Sequence, residues 1–304
     1  KHFETEKGTK FTSFLFRRFF LKTCLNNENI IEFFYTKRSV IYMKIYALME
    51  NISHDECLAC EHGLSLYIEA DGKKILFDTG ASEKFADNAE KMGVDLKAVD
   101  FAAISHGHYD HGGGLKKFIE INDHAPIYIS DKGFNQYYSG TDFNVSIPEG
   151  LAGNERFVLT SEPLKLSENI TLLNCNDREA KYYADPYGLN KVVNGEFIPD
   201  DFLHEQYLII EENGKRIVIS GCSHKGILNI MEWLKPDILI GGFHFFRLTT
   251  EGEDAATLDK SAKILNDYGA TYYTCHCTGT EQYDYLKAQM PKLNYIATGD
   301  VIEF

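Results

Sequence analysis

Residues 43–304 predict one layered α/β domain, and three observations carry that reading. Short runs rich in aliphatic, β-branched and aromatic residues recur along this stretch, bounded by Gly, Asn and Asp turn signals. Segments long enough for helices follow several of them. Four of the strand candidates end in a loop that carries histidine, as expected where ligands gather at the strand ends of an α/β fold. Composition agrees, since 44% hydrophobic and 25% charged residues in a chain of 304 allow a large core and give no sign of disorder.

Met43 to Met49 is the first strand candidate. Asn51 to Glu61 is polar and turn-like. Leu64 to Glu69 and Lys74 to Phe77 form a hairpin across Ala70-Asp71-Gly72-Lys73, whose Asp-Gly pair favours a tight turn. The second of these strands ends in Asp78-Thr79-Gly80, and Ser82 can cap a helix running to about Lys91. Val99 to Ile104 is the next strand, followed by a glycine-rich entry to a helix that reaches about Ile121. Pro126 to Ser130 reads as a short strand and Asp131 to Tyr138 as a helix.

Residues 139–203 are looser and lid-like, with short strands at Arg156 to Leu159 and Ile170 to Leu173. Their aromatic residues, among them Tyr182, Tyr183 and Tyr187, suit a flat substrate ring or pack the segment itself. Regularity returns with a hairpin of Gln206 to Glu211 and Lys215 to Ser220 around Glu212-Asn213-Gly214. A helix over Ile227 to Leu234, a strand over Asp237 to Ile240 and a helix over Asp254 to Tyr268 come next. The chain closes with a strand at Thr271 to Thr274, a helix at Thr280 to Gln289 and a strand at Tyr295 to Ala297.

The chemistry concentrates in Ser105-His106-Gly107-His108-Tyr109-Asp110-His111-Gly112. Imidazole and carboxylate are the donors that borderline divalent metals prefer. Residues two apart in an extended segment project to one side, so His106 and His108 can grip one ion. Asp110 and His111 follow where the chain turns and can face a second. Further histidines stand after other strands, in Gly221-Cys222-Ser223-His224-Lys225, in Gly241-Gly242-Phe243-His244 and in Cys275-His276-Cys277. Asp78 reads equally as a turn aspartate and as a site residue.

The net charge of −14 argues against a nucleic-acid partner unless the fold gathers a local basic face. Seven cysteines, at positions 24, 57, 60, 175, 222, 275 and 277, make no disulfide framework and fit a reducing, cytoplasmic setting. Cys57 and Cys60 lack a second pair at zinc-ribbon spacing and read as ordinary thiols. Residues 1–42 carry eight basic and four acidic side chains, leaving −18 for the rest. Their apolar run Phe14 to Leu21 is split by Arg17 and Arg18, too short and too charged to span a membrane. Met43 reads as a natural start, so residues 1–42 are expected to be an extension outside the fold.

With these residues in view, the chain resembles the metallo-β-lactamase-fold superfamily over roughly Met43 to Phe304. The carrying motif is His-x-His-x-Asp-His, standing here as His106, His108, Asp110 and His111. The resemblance implies an α/β, αββα four-layer sandwich with a one- or two-metal site along one edge of the sheets. It also implies that His106 and His108 hold one metal with a later histidine. Asp110 and His111 would hold the second with the last histidine of the chain, while Asp78 supports the site from behind.

On that scheme His276 is the last histidine and His224 the remaining one, with His204 a competitor. His244 is either a substrate contact or a ligand. Many hydrolases of the superfamily place a bridging aspartate after Gly at a late strand end, where this chain has Gly221-Cys222. Either Cys222 donates a thiolate, or it is a small buried residue and His224 does the binding. The stretches Glu61-His62-Gly63-Leu64-Ser65, Gly221 to His224, Gly241 to His244 and His276-Cys277-Thr278-Gly279 resemble the subgroup named after dihydropterin–ribofuranosylaminobenzene phosphate synthase.

The resemblance thus implies a metallohydrolase with two divalent ions, zinc before iron or manganese. It would act on a small ester or phosphate-containing molecule, with Asp110 orienting water and His244 or Lys225 near developing charge. A pterin-type transferase is the alternative, and a metal-dependent binding protein without turnover is a third class. A small-molecule substrate is expected, with neither nucleic acid nor membrane as partner.

Overall fold

The computed structural model describes residues 43–304, and the basic extension lies outside the described residues. Strands β1 (Lys44–Met49), β2 (Ser65–Ala70) and β3 (Lys73–Phe77) open the domain, followed by helix α1 (Lys84–Lys91), strand β4 (Phe101–Ala103) and helices α2 (Tyr109–Gly112) and α3 (Leu115–Ile121). Next come β5 (Ile127–Ser130), β6 (Tyr137–Ser139), β7 (Phe143–Asn144), β8 (Phe157–Thr160), β9 (Leu164–Lys165), β10 (Ile170–Leu173), β11 (Leu189–Val193) and β12 (Glu196–Pro199). The last part holds β13 (Tyr207–Glu212), β14 (Lys215–Ile219), α4 (Ile227–Leu234), β15 (Ile238–Ile240), α5 (Gly252–Asp267), β16 (Thr271–Thr274), α6 (Thr280–Lys287), β17 (Leu293–Tyr295) and β18 (Val301–Glu303).

Two seven-stranded sheets form the centre, in the orders β18-β1-β2-β3-β4-β5-β8 and β17-β16-β15-β14-β13-β10-β9. Strand alternation sends one set of side chains inward and the other outward. Ile45, Leu66, Ile68, Ile75 and Phe77 of the first sheet meet Leu172, Leu208, Ile210, Ile217 and Ile219 of the second in one buried cluster. On the outer face of the first sheet, Tyr67, Leu76 and Ala102 pack with Phe85 and Ala89 of α1 and Leu115 and Phe118 of α3. On the outer face of the second, Val218, Leu239 and Tyr272 pack with Ile230 of α4, Leu258 and Leu265 of α5 and Leu286 of α6. The result is the four-layer αββα sandwich. Burial on both faces explains why β13 and β14 read as nearly continuous apolar runs.

Each sheet is antiparallel in one half and parallel in the other. Strands β3, β4, β5 and β8 run parallel, as do β14, β15, β16 and β17. The C-terminal ends of β3 and β4 therefore share one edge, and so do those of β14, β15 and β16. These are the ends that carry Asp78, the histidine loop, Cys222, His244 and His276.

Three sequence expectations are corrected. Asp131 to Tyr138 is not a helix but a turn followed by β6. Gly133 weakens a helix there, and the Tyr137 hydroxyl instead donates to the Lys132 carbonyl at 2.7 Å while its strand pairs with β11. Within residues 139–203 the two expected short strands are present as β8 and β10, and the segment holds more regular structure besides. It contributes β8 to the first sheet, β9 and β10 to the second, and with β6 it builds a separate four-stranded sheet in the order β12-β11-β6-β7. The terminal strand lies at Leu293–Tyr295, and β18 follows it to pair with β1. Helix α1 has Glu83 rather than Ser82 at its N-cap and no side-chain cap there, although the Ser82 hydroxyl accepts the Lys84 N–H at 3.3 Å and donates to Glu61. No helix among the described residues is long and apolar enough to cross a membrane.

Candidate metal centre

The site starts from Asp78, buried at the end of β3 with a left-handed backbone at φ 61°. Its Oδ1 accepts the Ser105 N–H at 2.6 Å, and its Oδ2 accepts the Ser105 hydroxyl at 2.7 Å. Oδ2 also lies 2.7 Å from His111 Nδ1, and Ser105 Oγ lies 2.8 Å from His106 Nδ1. One carboxylate thus sets the tautomer of two rings, holding protons on Nδ1 and leaving each Nε2 with a lone pair. Asp78 is a support, not a member of the ligand clusters.

His106, His108 and His224 bring one donor atom each to within 4.8 Å of one another, and the Nε2 atoms of His106 and His224 face each other at 3.2 Å. His224 is carried by the loop after β14, whose backbone is anchored where Glu205 Oε1 accepts the His224 N–H at 2.7 Å. Gly221 lets this loop approach the first sheet, since a Cβ there would stand 2.3 Å from Ser105 Oγ. His111 forms a second cluster with His106 and Cys222, its Nε2 lying 3.2 Å from the Cys222 sulfur. His62, Asp110 and His276 form a third. Asp110 Oδ2 is 3.2 Å from His276 Nε2, 3.3 Å from His62 Nε2 and 3.8 Å from His111 Nε2. Asn51 Oδ1 takes the His276 Nδ1 proton at 2.8 Å, and Glu50 accepts that residue's backbone N–H.

Electrostatics prepare these groups for a cation. Burial pushes His106 and His224 well below the ordinary imidazole range, His108 to about 3 and His276 to about 4. These rings are therefore neutral, the state a metal requires. Burial opposes the charge on Asp110, but His111 and His276 outweigh it and hold the carboxyl well below its usual value. Burial likewise pulls His111 down, while Asp78 and Asp110 outweigh it and raise it. Burial also drives the Cys222 thiol well above its ordinary range.

The residues fit a divalent metal. His108 Nε2, His224 Nδ1 and His276 Nε2 are buried nitrogens without a hydrogen-bond partner, and such orphaned polar atoms are costly unless something coordinates or bonds them. Imidazole, carboxylate and thiol donors together suit zinc, iron or manganese.

The structure thus brings His106, His108, Asp110, His111, His224, His276 and Cys222 to one place. His244 stands beside them, its ring centroid 4.3 Å from that of His224, outside every ligand cluster. His204 lies behind the loop, with one ring nitrogen on the Gly107 N–H and the other on Asp200. Lys225 does not face the centre. Its ammonium is bonded to the Asn174 carbonyl at 2.6 Å, Asn176 Oδ1 at 2.5 Å and the Glu205 carbonyl at 3.2 Å, so it ties down the segment after β10. His62 was visible in the sequence only as part of Glu61-His62-Gly63, with no ligand spacing to single it out. Glu50, Asn51 and Glu205 gave no signal, because their partners are remote in sequence or are backbone groups.

Of the cavities beside the cluster, two bear on its chemistry. One of about 190 Å³ is lined by His62, Asp110, Cys222, His276, Phe246 and Arg247. The other, about 300 Å³, is walled by Tyr182, Tyr187, Phe243, His244 and Lys260, and His224 lines both.

A family model described as the metallo-beta-lactamase superfamily matches residues 59–251. The chain belongs to that superfamily, whose fold and metal dependence agree with the sandwich and the donor clusters. A 7,8-dihydropterin-6-methyl-4-(beta-D-ribofuranosyl)-aminobenzene-5'-phosphate synthase from Methanocaldococcus jannaschii is 30% identical over 263 residues, covering 78% of this chain and 88% of the relative. An uncharacterized protein of the same organism is 28% identical over 267 residues, covering 85% of this chain and 99% of the relative. Among solved structures, a metal-dependent hydrolase of the β-lactamase superfamily superposes with a TM-score of 0.71 at 29% identity, over 86% of this chain and 99% of that one.

Proposed function

We propose that the protein is a metal-dependent hydrolase of a small ester or phosphate-containing molecule. The observation that carries this reading is the set of neutral imidazoles and one ionised carboxylate on the wall of the 190 Å³ cavity, with the Arg247 guanidinium lining it as well. His106, His108 and His224 would hold one divalent ion, and Asp110, His111 and His276 a second, with Cys222 between the two groups. When bound, such ions supply Lewis acidity that polarises a carbonyl or phosphoryl oxygen and makes water nucleophilic near neutrality.

The protein's own residues supply the rest. In hydrolysis the water oxygen bonds to the acyl carbon or phosphorus, the bond to the leaving oxygen breaks, and one proton passes from water to the leaving group. Asp110 Oδ2, ionised and 3.3 Å from the half-exposed His62, is suited to orient that water and direct its proton to His62. His62 can pass a proton toward the leaving oxygen. His244, neutral because burial pushes it to about 3, can donate one N–H to developing negative charge. Arg247, stacked on Phe246 at 5.4 Å, can attract an anionic substrate to the cavity.

The test is a panel of aryl esters, lactones, phosphomonoesters and phosphodiesters offered to protein loaded with zinc, manganese or iron(II). Turnover of at least one class is expected, falling more than about 100-fold in His106→Ala with loss of bound metal. A fully loaded protein that turns over none of these would sink the reading.

A second reading has its own support. The 300 Å³ cavity walled by Tyr182, Tyr187 and Phe243 suits a flat ring, and one relative is named as a dihydropterin-related synthase. Under this reading the protein joins an arylamine to a dihydropterin, with a pyrophosphate leaving. Quenching of pterin fluorescence at micromolar protein would favour it. Indifference to pterins together with ester or phosphodiester turnover would favour hydrolysis.

A further inference from the structure

The segment Asp200–Gln206 leaves the small four-stranded sheet after β12 and runs beside the histidine loop before entering β13. Several contacts bind the two together. The N–H of Gly107, the residue between His106 and His108, donates to His204 Nδ1 at 2.8 Å. The Gln206 N–H donates to the Ser105 carbonyl and its side-chain amide to the Ile104 carbonyl, each at 2.8 Å. Phe202 stacks on His224 with ring centroids 4.5 Å apart and planes 8° from parallel.

His204 is the informative member. A ring nitrogen that accepts a backbone N–H carries no proton, so the neutral ring has its proton on Nε2. That atom lies 3.0 Å from Asp200 Oδ2, and both residues are buried. Tyr137 covers the ring face at 4.0 Å. Gly107 is also pressed against Gly133, whose carbonyl oxygen would lie 2.4 Å from any Cβ. The loop between the two histidines is thus held by His204 and packed tightly against Gly133.

We propose that His204 is a positioning residue for the metal loop. Asp200 holds its proton on Nε2, Nδ1 fixes the Gly107 N–H, and the fixed peptide sets the directions of His106 and His108. The proposal rests on the reading of those two histidines as metal ligands. The competing account is a further metal position, because His108, Asp200 and His204 also bring donor atoms within 4.8 Å of one another. Both nitrogens of His204 are already engaged, which closes that position unless the Gly107 bond is broken.

A pair of amide variants separates the two. In His204→Asn the side-chain oxygen can stand where Nδ1 stands and still accept from Gly107, whereas in His204→Gln the amide sits where Nε2 stands and cannot. Metal affinity is measured by competition with a chelator, and ligand geometry by the visible absorption of cobalt-substituted protein, with circular dichroism to check folding. His204→Gln should weaken metal binding roughly 10–100-fold, the usual effect of losing an outer partner, and alter the cobalt spectrum. His204→Asn should stay near wild type with unchanged metal stoichiometry. Wild-type affinity and spectrum in His204→Gln would overturn the proposal, as would loss of one metal equivalent in His204→Asn. A wild-type protein that holds no divalent metal would instead overturn the ligand reading on which the proposal depends.

Discussion

Cys222 is the residue on which the chemistry of the centre turns. Its sulfur lies 3.2 Å from His111 Nε2, and burial holds the thiol protonated in the absence of a cation. A coordinating metal reverses that preference and deprotonates a thiol outright. The two sequence-level alternatives, a thiolate donor or a small buried residue, therefore differ in a measurable way. Cobalt-substituted protein is expected to show thiolate-to-cobalt charge transfer in the near ultraviolet, and Cys222→Ala should abolish that band and weaken one metal position while the His106, His108 and His224 group keeps its ion. A wild-type spectrum without the band would make Cys222 a packing residue. At this scale the sequence was legible where donors are close together, as in His106 to His111. It was silent where they are not. Glu50 reaches the His276 backbone across 226 residues, and Glu205 reaches the His224 backbone through an N–H that every residue has.

At the scale of elements, what positions the site is the parallel half of each sheet. The strand ends were readable because the apolar runs give way to Asp78, Ser105, Gly221, Gly241 and Cys275, and the two hairpins were readable from Asp-Gly and Asn-Gly. The small sheet was not. Strand β12 is exposed along its length and β7 is two residues long, so neither shows the half-buried alternation that reveals a strand. Tyr137 and Tyr138 became strand because a partner, β11, arrives more than 50 residues later. The contact between the two sheet edges makes its own demand at Gly221. Because a Cβ there would meet both Ser105 Oγ at 2.3 Å and His106 Nδ1 at 3.1 Å, Gly221→Ala must push the late loop away from the histidine loop. The expected cost is about 1–3 kcal/mol, the usual range for overpacking, read from urea unfolding. Metal content should fall as well, whereas Gly153→Ala, with open space at its Cβ and no left-handed backbone, should leave metal content unchanged. Equal metal content in both variants would mean that the close approach does not matter to the site.

Across the whole molecule, the donors come from both sheets. His106, His108, Asp110 and His111 follow β4 of the first, while Cys222, His224 and His276 follow β14 and β16 of the second. An ion in any cluster that mixes them is a cross-link between the two halves of the sandwich, and unfolding must release it. A ligand that binds only the folded state stabilises it by about 2.7 kcal/mol when present at about 100 times its Kd. For a domain of this size each kcal/mol moves the melting temperature by about 2–4 °C. Removing metal with a chelator should therefore lower Tm by roughly 5–10 °C, and adding back zinc should restore it. The same treatment of His106→Ala should change Tm less, because the variant has already lost the cross-link through the first cluster. A Tm that does not respond to the chelator, in protein shown by elemental analysis to have lost its metal, would mean that the two sheets hold together through the Ile–Leu interface alone and that the site is a passenger on the fold.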